Sequence, residues 1–363
     1  MKYWRGYLTA GILLACNWAL QAFARANSAL VDMIYPYVTR MMAMFLENWS
    51  SGLDYCLWQV LLVVGLVLIM AIVVLVVVFK WNPIQWAGWI CAAAAVVVFL
   101  NTALYGLNMF SGPLSQDIRL EETEYAIAEL EQAAIYYRDQ ANALAEQVER
   151  DSSGDVVFAD FDTLAEQASD GFDYLVYEQS LSVFAGPMNP VKKLGWADNY
   201  TKQGITGVTV GLTGEAAVNP EVPGVLMPFA MCREMARRMS IVIPRDASFA
   251  AIMAGKANQS VQFQYSAALM SYRYCIMALA DLDSVTGAGT AKQVRAGENA
   301  NVIHDLNVVS GFLGNKAGED GDTCDLLTSW HIQEIVLPGL LEEEEVFDPM
   351  DKTQVDLSQH PNA

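Results

Sequence analysis

Between Cys56 and Phe79 the chain runs for 24 residues without a charged side chain, and most of them are Val or Leu. A backbone placed in hydrocarbon must satisfy its own hydrogen bonds, and a helix of about 20 residues does so across the roughly 30 Å apolar layer of a bilayer. Residues 56–79 therefore read as a transmembrane helix, and the rest of the chain must fold around an anchored element.

Residues 84–107 give another such run, with Trp86 and Trp89 towards one end and Tyr105 at the other, as aromatic belts require. Residues 6–24 are uncharged and follow Lys2 and Arg5. Two readings fit them: a retained first helix, taken as residues 1–27, or a signal peptide ending near Ala22-Phe23-Ala24. The length of the apolar run favours retention. Residues 28–55, with Asp32, Tyr35-Pro36-Tyr37, Arg40, Glu47 and Trp49, suit an interfacial, partly helical loop outside the cytoplasm. Lys2, Arg5 and Lys80 fall on the cytoplasmic side by the positive-inside rule. Three spans then place everything after about residue 108 outside the cytoplasm. The expected localisation is the cell membrane, multi-pass, with the large domain extracytoplasmic. None of the three runs holds an acidic or basic residue, so they form an anchor rather than a transport path.

Charge divides the chain at the same place. Residues 1–105 hold five basic and three acidic groups, which leaves 16 of the 21 Lys and Arg and 38 of the 41 Asp and Glu for residues 106–363. An acidic, soluble rear excludes nucleic acid and anionic headgroups as partners of that domain. The six cysteines show no CxxC pair and no metal-type spacing, so no disulfide framework is expected.

Past Ser111-Gly112-Pro113, residues Ile127, Leu130, Ala134, Tyr137, Ala141, Leu144 and Val148 recur at three- and four-residue steps, predicting a helix over about 122–150. Another helix is predicted over 160–182. Residues 205–213 alternate Val208, Val210 and Leu212 against Thr209, Gly211 and Thr213, a strand with two different faces. Helices follow at 225–239, 246–257 and 261–281. Periodicity weakens from residue 283, and the run Glu342–Glu345 opens a solvated or disordered tail. His304, His331 and His360 lack an i, i+4 partner and read as surface histidines.

The helix over 225–239 carries Arg233-Glu234-Met235-Ala236-Arg237. A zinc-peptidase helix reads His-Glu-x-x-His, since residues four apart share a face and both imidazoles reach one ion. Here Glu234 stands in the centre and arginines flank it. Arginine stays protonated and offers no lone pair, so it cannot ligate a metal.

Around this helix stand Thr213-Gly214-Glu215-Ala216-Ala217-Val218-Asn219, Pro228-Phe229, Pro244-Arg245-Asp246-Ala247-Ser248-Phe249 and Phe263-Gln264-Tyr265-Ser266. With Tyr35-Pro36 and Tyr105-Gly106-Leu107-Asn108 at the front, this order resembles a family of bacterial membrane-anchored zinc metallopeptidase-like proteins, domain of unknown function 3810, over residues 30–282. The resemblance implies a mainly α (α+β) fold, in which transmembrane helices lead into a zincin-like, mostly helical domain with a small sheet. It would occupy residues 108–282, with 283–340 as its C-terminal part and 341–363 as an acidic flexible tail. It places the family's two histidines at Arg233 and Arg237, its general base at Glu234 and its acidic third ligand near Asp246. Thr209, Gly211, Thr213, Glu215, Asn219 and Tyr265 would then line a peptide-binding cleft. Without both imidazoles zinc is expected to be lost, leaving no cofactor and no activated water. The expected function is a catalytically inactive pseudoprotease that retains a cleft for a peptide or protein partner. The alternatives are an active membrane metallopeptidase with a non-standard site and a purely structural membrane protein. The two arginines are expected to take the metal's electrostatic place by holding Asp246, and with it Glu234.

Overall fold

The computed structural model describes residues 2–314 and 321–338. The expected tail over 341–363, with His360, lies outside the described residues. Helices dominate, with one small sheet. The first four are α1 (Arg5–Ala26), α2 (Ser28–Ser50), α3 (Leu57–Val78) and α4 (Pro83–Leu104). Each is long and apolar enough to cross a membrane. Lys80, at φ 51, makes the tight turn after α3. Asn82 then caps α4, its side chain accepting from Ile84 N at 3.0 Å and Gln85 N at 3.2 Å, with Pro83 at the first turn, where a missing N–H costs nothing.

α1 and α4 pack through small residues. A Cβ at Gly6 would lie 2.4 Å from the Gly88 carbonyl carbon, and Ala10, Ala92 and Ala95 continue the seam. Helices in lipid associate this way, because close backbone approach replaces the absent hydrophobic drive. The contacts run in parallel order: Gly6 meets Gly88 near both starts, while Arg25 lies over the Phe110 ring near both ends. α3 runs the opposite way, and none of its residues from 60 to 78 is buried.

The segment expected to be a partly helical loop, residues 28–55, is mostly one continuous helix, α2. It touches the following domain along its length. Asp32 accepts from Gly112 N at 2.7 Å, Arg40 donates to the Val183 carbonyl at 2.6 Å, and Thr39 lies 2.7 Å from the Ser240 hydroxyl. Glu47 forms a buried ion pair with Arg238, and the Ser50 carbonyl accepts from Lys192 at 2.6 Å.

The domain comprises α5 (Leu114–Asp117), α6 (Ile127–Ala145), α7 (Phe161–Tyr177), β1 (Lys192–Lys193), α8 (Ala197–Thr201), β2 (Gly207–Val210), β3 (Glu215–Val218), α9 (Met227–Arg238), α10 (Pro244–Ala257), α11 (Val261–Thr286), α12 (Thr290–Arg295), α13 (Ala300–Leu313) and α14 (Gly321–His331). α6 starts five residues after the expected 122 and ends at Ala145, and it buries Leu130, Ala134, Tyr137 and Ala141 completely. The sheet has the order β1-β3-β2, with β1 parallel and β2 antiparallel to β3. The expected strand over 205–213 is shorter, because the chain turns at Gly214 (φ +66) and returns as β3. β3 is buried along its whole length, so its sequence shows none of the alternation that marks a half-exposed strand. Among the described residues, α12, α13 and α14 occupy the region after 283 that reads as weakly periodic. His331 is buried there against the Tyr136 ring at 4.9 Å, contrary to the surface position expected of it, whereas His304 is half-buried and meets Asp155 at 2.8 Å.

Candidate functional site

α9 is the central helix of the core. Met231, Cys232, Met235 and Ala236 are fully buried, and each methionine contributes roughly 1.5–3 kcal/mol by leaving water. Pro228 opens the helix, the Phe229 N–H is satisfied by the Ser266 hydroxyl at 3.2 Å, and the chain leaves through Ser240 at φ 75. The face not taken by the core lies against β2. Gly207 makes that approach possible, since a Cβ there would stand 2.5 Å from Glu234 Cγ and 2.8 Å from the Ala217 carbonyl oxygen.

Glu234 is fully buried between helix and strand. Its Oε2 accepts from the Thr209 hydroxyl at 2.7 Å, and its Oε1 lies 3.4 Å from Arg237 Nη1 and 3.7 Å from Arg233 Nη1. Burial alone lowers the pKa of Arg237, but Glu234 and Tyr105 outweigh it and hold that pKa above the ordinary value. Arg233 also donates through Nε to Ser248 at 3.1 Å, and the Tyr105 hydroxyl donates to the Arg237 carbonyl at 3.0 Å. Two guanidinium groups and one hydroxyl thus converge on one carboxyl group, an arrangement that fixes its position. Beside it opens a cavity of about 240 Å³ lined by Gly207, Phe229, Arg233, Arg237, Arg273 and Tyr274, among others.

The other expected residues are placed as follows. Asp246 does not join Glu234's cluster: its Oδ2 accepts from Leu114 N at 2.9 Å and its Oδ1 lies 3.2 Å from Arg245 Nε, though not aligned to accept from it. It lines a separate cavity of about 70 Å³ with Asp32, Arg40 and Asp117. Burial pushes its pKa up, against the pull of the Leu114 N–H and Arg245. Glu215 is the most consequential placement. Its carboxylate accepts from Leu57 N at 2.8 Å and Trp58 N at 3.0 Å, capping the start of α3, and pairs with Lys192 at 2.8 Å. Gln59 adds a two-way bond with the Gly195 backbone, at 3.0 Å in each direction. Asn219 ties the loop before β2, donating to Thr201 Oγ1 at 2.9 Å and accepting from Glu221 N at 3.0 Å. Gly211 lets Tyr105 approach, since a Cβ there would stand 2.2 Å from the tyrosine Cβ, and Thr213 lies in the turn after β2. Tyr265 donates to Asp305 and accepts from Arg150 at 3.3 Å, within an ion pair of those two residues.

Tyr105, Gly207, Ser248 and Arg273 are absent from the residues chosen by sequence. Tyr105 carries a signal that serves two readings at once, an aromatic at a membrane exit. Ser248 sits inside a motif quoted for its acidic neighbour. Among the described residues no group of three or more His, Cys, Asp or Glu side chains is placed to hold a metal ion.

A family model described as a protein of unknown function (DUF3810) matches residues 31–320. The chain belongs to that family. The match takes in most of α2, with α3, α4, the sheet and α9, so these apolar helices and the Glu234 cluster are parts of the family's unit, while α1 precedes it. No curated protein and no solved structure matches the chain.

Proposed function

We propose that this member of the family is a membrane-anchored pseudoprotease: a zincin-like domain without zinc that keeps a cleft for a peptide or protein outside the cytoplasm. The observation that carries the reading is the placement of Arg237 and Arg233 at 3.4 and 3.7 Å from the buried Glu234 carboxylate. A base that must take a proton from a metal-bound water needs that water and a free lone pair. Here Thr209 and Arg237 donate to the carboxylate, and Arg237 and Arg233 supply the positive charge that an ion would bring. The edge position of β2 supports the binding role. It pairs only with β3 among the described strands, and an extended chain can add alongside such an edge.

Metal analysis of the purified full chain, with a peptide-cleavage assay, tests the loss of chemistry. The expected result is no stoichiometric zinc and no cleavage that depends on Glu234. Stoichiometric zinc with cleavage abolished in Glu234→Gln overturns it in favour of an active peptidase. A second reading, a purely structural membrane protein, is favoured by one observation: Glu215 and Asn219, expected in the cleft, are both spent on internal bonds. A photo-reactive residue at Val208 separates the two. Specific cross-links from membranes support the cleft, and their absence supports the structural role.

A further inference from the structure

α2 presents two faces of opposite character. Its three charged residues all turn inward: Arg40 and Glu47 are buried, and Asp32 is bonded to Gly112 N. Its outer face carries Met33, Tyr37, Met41, Phe45 and Trp49, each four residues from the next and each 61–78% exposed. No charged side chain of α2 is exposed. An apolar, Met- and aromatic-rich ridge of that length is an interaction surface, since soluble proteins do not leave such patches open to water.

The connections say what covers it. α1 ends at Ala26 and α2 begins at Ser28; α2 ends at Ser50 and α3 begins at Leu57. Both ends of α2 are thereby tied to helices apolar enough to span, at the end of α1 and at the start of α3. Because α2 meets the domain from Asp32 to Ser50, it lies along the domain's near side and does not cross the bilayer. We infer that α2 is a membrane-surface helix, its Met33–Trp49 ridge seated at the boundary of headgroups and acyl chains. Helices of this kind lie in the interface plane with the apolar face a few ångströms deep. The consequence is positional. Tyr105, the first residue after α4, donates to the Arg237 carbonyl at 3.0 Å, so the Glu234 cluster is fixed against the same surface. A partner for this site is therefore a segment close to the membrane.

The test uses the full chain with Cys16→Ala and Cys91→Ala, reconstituted in phosphatidylcholine–phosphatidylglycerol vesicles and labelled with a fluorophore at single cysteines replacing Phe45 or Met41. Quenching is read from a water-soluble quencher and from lipids carrying a nitroxide at a shallow or a deep acyl position. Leu68→Cys in α3 and Tyr177→Cys on the domain serve as references. The expected result is strongest quenching by the shallow nitroxide at both α2 positions, with aqueous quenching several-fold below that at Tyr177. Aqueous quenching equal to that at Tyr177 overturns the inference and leaves the ridge to a protein partner. Deep-nitroxide quenching equal to that at Leu68 overturns it by making α2 a span.

Discussion

At the scale of single residues the cluster around Glu234 makes a prediction that depends on which group is removed. Arg237→Ala leaves a buried carboxylate with one guanidinium fewer, and the unfolding free energy should fall by about 2 kcal/mol, the lower part of the range for charged partners because Arg237 is 30% exposed. Glu234→Gln keeps an acceptor for Thr209 and removes the charge that needs compensation, so its cost should be smaller. Denaturant unfolding in detergent measures both, and equal losses would sink the claim that the arginines are there for the carboxylate. Asp246 gives the pH prediction. Its pKa is raised in the folded protein by burial, so the folded state holds its proton more tightly than the unfolded one. The cost of ionising it is present above the folded pKa and relieved as pH falls towards the unfolded carboxylate value. Asp246→Asn, which keeps an oxygen for the Leu114 N–H, should therefore be at least as stable as the parent near neutrality, and its advantage should vanish on acidification. A melting temperature that tracks the parent at every pH would refute this. The sequence displayed every one of these residues but misassigned one partnership. Spacing shows that Arg233, Glu234 and Arg237 share a helix, yet Asp246 meets the Leu114 backbone across 132 positions, and only tertiary packing decides that.

Elements were legible to the degree that their periodicity was undisturbed by neighbours. α9, α10 and α11 begin within two residues of the expected 225, 246 and 261, and α11 runs five residues past the expected 281. β3 was missed because it is buried on both faces, and β1 because two lysines do not resemble a strand until Lys192 finds Glu215. α12 to α14 were missed because their apolar stripes are short and interrupted by Gly and Asn. Glu215 shows why an element-level view changes a site assignment. The resemblance places it in a cleft, but it joins β3 to the first turn of α3, whose N–H groups have no partner within the helix. Glu215→Ala should strip that cap and leave Lys192 without its buried partner, at a cost of about 2–4 kcal/mol. Glu215→Gln should restore part of the cap but not the ion pair, and so fall between. Proteolysis of the detergent-solubilised chain, followed at the 50–57 connection, provides a second readout. A protected connection in Glu215→Ala would mean that the carboxylate does not hold the span to the sheet.

For the whole molecule, the order of packing turns charge statistics into an orientation. α1 and α4 are parallel, Gly6 meeting Gly88 at one end and Arg25 meeting Phe110 at the other, and α3 starts where Glu215 holds it, at the domain end. Lys2, Arg5 and Lys80 therefore share the end away from the domain, while Arg25 and Arg40 lie at the domain end. An excess of basic residues marks the cytoplasmic side of short loops, so the three spans α1, α3 and α4 should leave the sheet, α9 and the Glu234 cluster outside. The packing also bears on whether α1 is retained, since its removal would uncover the Gly88–Ala92–Ala95 face of α4. Cysteines placed in a Cys16→Ala, Cys91→Ala background at Lys80 and at Tyr177, which is 78% exposed on the domain, test the arrangement. In intact cells an impermeant thiol reagent should label the Tyr177 position at once and the Lys80 position only after permeabilisation. The opposite pattern would put the domain, and the proposed cleft with it, in the cytoplasm. Labelling of both positions in intact cells would mean that α3 turns back without crossing, against the expectation from its 22 uncharged helical residues.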